Sequence, residues 1–138
     1  MFRMLPAGLA IVALTGASAP ERGVVRYVTD GDTFRLESGE RIRIAGIDAP
    51  ETHADRARCA AELRLGAAAQ ARARALLDHR SVTFERVGRS YDRTVARVRV
   101  GGNDVAEALV RAGAARWWPR GKPRPDWCGR GRSGRARR

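Results

Sequence analysis

The sequence is poor in the residues that most functional classes depend on. Of its 138 residues two are Cys and two are His, with no CxxC pair and no His cluster from which a metal site could be made. Lys is all but missing, since 26 of the 27 basic residues are Arg and the exception is Lys122. Acids are the minority charge, 15 Asp+Glu against 27 Lys+Arg, which excludes an acidic disordered tail. The remaining net charge of +12 calls for a polyanionic partner. No internal repeat is present. The longest apolar run, Met4 to Leu14, is too short to span a bilayer comfortably. A chain of this length holds one domain with one modest core, so a two-domain enzyme is excluded as well.

The basic charge is unevenly spread. Arg120 to Arg138 contain eight basic residues and one acid, Asp126, a net of +7 that leaves +5 for residues 1–119. That end is rich in Gly, Arg and Pro and cannot bury enough surface to offset its ordering entropy. Residues 129–138 are therefore expected to form a disordered basic tail that attracts phosphate without specificity. At the other end Arg3, the apolar run and Ala17-Ser18-Ala19 read as an export signal or N-terminal anchor over residues 1–19. Pro20 sits poorly just after a cut, so cleavage after Ala17 and retention as an anchor both stay open. The expected location is secreted or periplasmic. In an exported chain, Cys59 and Cys128 are more often a disulfide than two idle thiols.

Residues 22–128 carry the domain. Short β-branched runs, Val24 to Val28, Phe34 to Leu36 and Arg41 to Ile44, are separated by Asp30-Gly31 and Ser38-Gly39 and predict a three-stranded meander. From Cys59 to Asp78 an Ala-rich stretch predicts a helix with Ala60, Leu63, Ala67, Ala71 and Ala75 on its apolar face. Strands follow at Ser81 to Val87 and Arg93 to Val100. A second helix is signalled by Asp104 as N-cap, Glu107 three residues later and Gly113 as the stop. Five short strands with a helix after the third suit a Greek-key barrel of the OB type, α+β and mainly β; a half-open sandwich would use the same elements.

Three clusters hold chemistry. Asp30-Gly31-Asp32-Thr33 reads first as a hairpin turn, and its likeness to a DxDx(T/V) phosphatase nucleophile fails because Thr33 is one position early and no parallel α/β framework follows. Arg43 to Thr52 places Arg43, Asp48 and Glu51 around a strand end that Pro50 breaks. Each would be an ordinary solvated side chain alone, but a meander brings Asp48 near Asp32, and oxygen ligands without Cys or His suit Ca²⁺ or Mg²⁺. Tyr91-Asp92-Arg93 opens a strand whose Arg93, Arg97 and Arg99 form a basic stripe.

Together these clusters, with Glu107-Ala108-Leu109-Val110-Arg111-Ala112-Gly113, resemble in order and placement the thermonuclease (staphylococcal nuclease-like) family over residues 24–116. The resemblance implies a five-stranded OB-fold barrel with two helices and no third. It implies calcium-dependent hydrolysis of DNA and RNA, single-stranded or frayed, leaving 3′-phosphate ends, by a monomer. Asp32, Asp48 and the carbonyl of Ala49 are then the calcium ligands. Glu51 is the candidate base, Arg43 and Arg93 clamp phosphate, and Tyr91 lies beside the nucleotide. Cys59 and Cys128 look like a pair found in many bacterial relatives. Asp92 stands where many relatives have Gly, beside a phosphate-binding Arg. For Trp117 and Trp118, packing in the core or beside Cys128 is preferred to base stacking. A non-catalytic OB-type nucleic-acid-binding module is the rival reading, and an Arg-rich chain adhering to acidic surfaces through its tail is a third.

Overall fold

The structure is a computed structural model that describes residues 19–129. The N-terminal segment expected as a signal and residues 130–138 of the basic tail lie outside the described residues.

The meander forms as β1 (Glu21–Asp30), β2 (Thr33–Leu36) and β3 (Arg41–Ile44), each pairing antiparallel with the next. Strict alternation would put Val25 and Val28 on opposite faces. Both are buried because the β1–β2 register shifts between Val25 and Tyr27 and again between Val28 and Asp30. After the two-residue β4 (Ile47–Asp48) comes α1 (Ala60–Leu77), then β5 (Ser81–Ser90) and β6 (Arg93–Val100). β5 pairs with β1 and β6, and β6 runs parallel to β3 through Ile42↔Thr94 and Ile44↔Ala96. The five strands thereby close into an OB-fold barrel with no free edge among them. Its interior is filled by Val25, Val28, Phe34, Ile42, Ile44, Val82, Phe84, Ala96 and Val98.

After β6 come β7 (Asn103–Asp104), α2 (Val105–Arg111) and β8 (Arg116–Trp117), which pairs with β4. Asp104 caps α2 by accepting from the Glu107 amide at 3.0 Å, and Gly113 takes φ +73° beyond its end, as expected. Among the described residues no helix follows α2.

The buried face of α1 is a correction. Glu62, Gly66, Ala69, Ala73 and Leu77 are buried, whereas Ala60, Ala67, Ala71 and Ala75 are exposed and Leu63 is half-buried. Alanine recurs on nearly every side of this helix, so apolar periodicity has little contrast. Gly66 selects the face, because only a residue without Cβ fits where the helix meets the backbone of Glu51.

Cys59, the N-cap of α1, is bonded to Cys128. The irregular segment after β8 is thus drawn back along the loop between β4 and α1. No helix among the described residues is long and apolar enough to cross a membrane.

Candidate active site

Asp30 ends β1 and Asp32 lies in the turn to β2, β3 and β4 deliver Arg43 and Asp48, the following loop carries Glu51, the β5–β6 turn adds Tyr91, and β6 opens on Arg93. All of them line one cleft of about 380 Å³. The barrel closure is what gathers them, since β3 lies between β2 and β6. A larger groove of about 680 Å³ lies beside it, lined by Trp117, Trp118, Val87 and Val95. It lacks Asp32, Asp48 and Glu51, so the smaller cleft is the candidate site.

Asp32 and Asp48 are both buried. Asp32 accepts from the Thr33 hydroxyl at 2.9 Å and from the Ala49 amide at 3.1 Å, which ties the two ends of the expected ligand set together. Arg43 Nη2 lies 3.5 Å from Asp32 Oδ2 and 3.9 Å from Asp48 Oδ1, and donates to the Ile47 carbonyl at 3.1 Å. Its guanidinium stacks 5.6 Å from the centre of the Trp118 ring. Arg43 is therefore not the solvent-facing strand residue that alternation alone describes.

Arg93 is held by Ser90 Oγ at 3.2 Å and Thr33 Oγ1 at 3.5 Å. Among the described residues no carboxylate pairs with it, which leaves its charge for an anionic ligand. Asp92, adjacent in sequence, turns away to pair with Arg41 at 2.6 Å. Tyr91 is 93% exposed at the lip of the cleft, at φ +55°.

Glu51 sits on a loop whose backbone a second acid holds. Its amide donates to Glu62 Oε1 at 3.2 Å, and the other oxygen of Glu62 accepts from the Arg58 amide at 2.8 Å. Glu62, buried on α1, thus holds both ends of that loop.

The acids crowd one another. Burial, then the neighbouring Asp32 charge, push the Asp30 carboxyl up to about 7. Burial also raises Asp48, against the hydrogen bond from Trp127 and the charge of Arg124. The burial and like charge that disfavour ionisation of Asp30 and Asp48 would be relieved by a hard divalent cation, which oxygen donors suit. Among the described residues no group of three or more His, Cys, Asp and Glu side chains could cage an ion unaided. A cation here would rest on two carboxylates, backbone oxygen and water.

One residue that lines the cleft and two buried ones behind it lie outside the motifs. Arg124 Nε donates to Asp48 Oδ1 at 3.0 Å and its Nη2 to Glu51 Oε1 at 3.3 Å; the buried Trp127 donates to Asp48 Oδ2 at 2.8 Å; Glu62 anchors the Glu51 loop. None lies in a motif, and only the Cys59 and Cys128 pairing hinted that residues near 128 return to this loop. Trp127 packs beside Cys128 beneath Arg116, at 4.2 Å. Trp118 is half-buried, while Trp117 is 52% exposed, contrary to the packing role expected of it.

A comparison with the curated proteins gave no match. The sequence profile described as staphylococcal nuclease homologue matches residues 41–126, more than half of the chain. The match begins after Asp32, which the fold itself brings beside Asp48. With the barrel, the cleft and this match in agreement, the chain belongs to the staphylococcal nuclease homologue family.

Proposed function

We propose that the protein is a calcium-dependent phosphodiesterase that hydrolyses DNA and RNA by in-line attack of water, leaving 3′-phosphate ends. The observation that carries this reading is the convergence of Asp32, Asp48, Glu51, Arg43 and Arg93 on one cleft. Binding modules usually lose several of these five residues, and here all five stand.

A phosphodiester resists attack because its charge repels the nucleophile. Calcium, held by Asp32, Asp48 and the Ala49 carbonyl, would supply charge neutralisation and polarise water. Arg43 and Arg93 reach the cleft from opposite strands of the closing β3–β6 pair and bracket a phosphate placed between them. Their planar forks match its oxygens and serve best as charge builds on them in the transition state. Glu51 accepts the proton of the attacking water, a contribution of about 10²–10⁴-fold for general-base catalysis. Tyr91 offers an exposed ring to the neighbouring nucleotide, which favours single-stranded or frayed substrate. The Cys59–Cys128 bond supports work in an oxidising compartment, secreted or periplasmic, and the protein is taken to act as a monomer.

The test is digestion of single-stranded DNA with calcium and with a chelator, comparing the parent with Glu51→Gln and Arg93→Ala. Loss of cutting in chelator and in both variants supports the mechanism. Calcium-independent cutting, or full activity in both variants, would defeat it; nucleic-acid binding without cutting would favour the non-catalytic module.

A further inference from the structure

The segment after β8 contributes a cation that no motif announces. Arg124 lies across the two carboxylates assigned to metal binding and to base catalysis, Asp48 at 3.0 Å and Glu51 at 3.3 Å. Three residues on, Trp127 takes the second oxygen of Asp48, so both oxygens of that side chain are engaged by one segment. That segment is pinned at its far end, because Cys128 is bonded to Cys59 at the start of α1, and α1 carries Glu62, which holds the Glu51 amide. Arg124 is thus tethered beside the acids by a covalent link four residues away. Its local concentration there is high whatever the solution contains.

Four acids, Asp30, Asp32, Asp48 and Glu51, line the cleft, and Arg43 is the cation closest to Asp32. Without a metal the remaining negative charge needs a partner, and Arg124 supplies one from the same chain. Its side chain is one-third exposed, so it reaches the cleft from the solvent side and has room to withdraw. A divalent ion brings twice the charge to the same oxygens and would take Asp48 Oδ1 from it.

We propose that Arg124 is a tethered internal counter-cation, which occupies the Asp48 and Glu51 oxygens in the metal-free protein and is displaced when calcium binds. The inference rests on the calcium reading of this cleft. Its consequence is that calcium affinity is set partly by the protein's own arginine, because part of the binding free energy goes into breaking the Arg124 contacts.

The experiment titrates calcium by calorimetry into the full-length parent, Arg124→Gln and Arg124→Lys without nucleic acid, and measures thermal unfolding of each in chelator and in calcium. Arg124→Gln should bind calcium more tightly, by roughly two- to fivefold for a partly exposed charged contact. It should also unfold at lower temperature in chelator and gain more from calcium than the parent does. Arg124→Lys keeps the charge but cannot span both carboxylates, so its affinity should fall between the two; this variant decides the matter if Arg124→Gln does not fold. Unchanged or weakened calcium binding in the variants, with binding intact in the parent, would overturn the inference alone. Absence of calcium binding in all three would overturn the calcium reading and this inference with it.

Discussion

Trp127 donates its indole N–H to Asp48 Oδ2 at 2.8 Å across 79 positions of sequence, and both side chains are buried. The bond fixes the plane of a carboxylate that the cleft depends on. Trp127→Phe keeps most of the apolar volume and the ring face beneath Arg116, but removes the donor. A buried charged acceptor left without its partner costs about 1.5–3 kcal/mol. The thermal midpoint should fall accordingly, and Trp127→Phe should destabilise more than replacement of the exposed Trp117 by Phe. Equal small effects in both would show that the bond does not hold Asp48.

Arg43 combines a backbone bond to Ile47, two neighbouring carboxylates and a stacked Trp118. Lys cannot reproduce that geometry, since its single ammonium has no planar fork and stacks less well. Arg43→Lys should therefore fold but lose roughly 10²–10³-fold in kcat, the scale for removing one preorganised donor to a developing oxyanion. Initial rates over a range of substrate concentration separate this from a binding defect, and a change confined to KM would contradict it.

The cap of α2 was legible because it depends on short-range geometry, and the five motif residues were legible as ordered motifs that resemble a family, since each alone reads as an ordinary turn or solvated side chain. A turn sequence, a strand ending at Pro50 and a carboxylate three residues before a helical Glu declare themselves locally. Glu62, Arg124 and Trp127 were not legible, since each acts across a separation that only the closed chain defines. The orientation of Asp92 was hidden for the same reason. Its neighbour in sequence is Arg93, yet its partner is Arg41, brought close by the β3–β6 pairing. The face of α1 failed differently, because an Ala-rich helix offers no apolar contrast.

Barrel closure has an electrostatic clasp away from the cleft, where Arg86 of β5 binds Glu21 of β1 and Glu40 of the β2–β3 turn. Glu40 also accepts from Thr94 at 2.7 Å. The Arg86 hydrogen bonds hold the Glu40 carboxyl below its ordinary value of 4.5. A carboxyl with a depressed folded pKa adds stability that is present above the unfolded value and fades as pH falls through the folded one. Glu40→Gln should thus lower stability at neutral pH by less than about 1 kcal/mol, given the exposure of the cluster. It should also flatten the acid-side loss below about pH 4.5. Urea midpoints from pH 3 to 7 measure both, and an unaltered acid slope would remove Glu40 from the account.

Gly66 tests whether α1 positions the Glu51 loop. In an ordinary helix interior Gly→Ala stabilises by about 1 kcal/mol, because Ala has less backbone freedom to lose. Here a Cβ at residue 66 would lie 2.0 Å from the Glu51 carbonyl oxygen and 2.6 Å from its carbon. Both are backbone atoms, so no rotamer change relieves the clash; either the helix or the Glu51 loop must move. Gly66→Ala should consequently destabilise, against its helix propensity, and lower kcat because the shift falls on Glu51 and on the Glu62 bond to its amide. Gly88→Ala is the control, since nothing lies within 4 Å of a Cβ there. A Gly66→Ala protein as stable and active as Gly88→Ala would show that the helix does not set the position of Glu51.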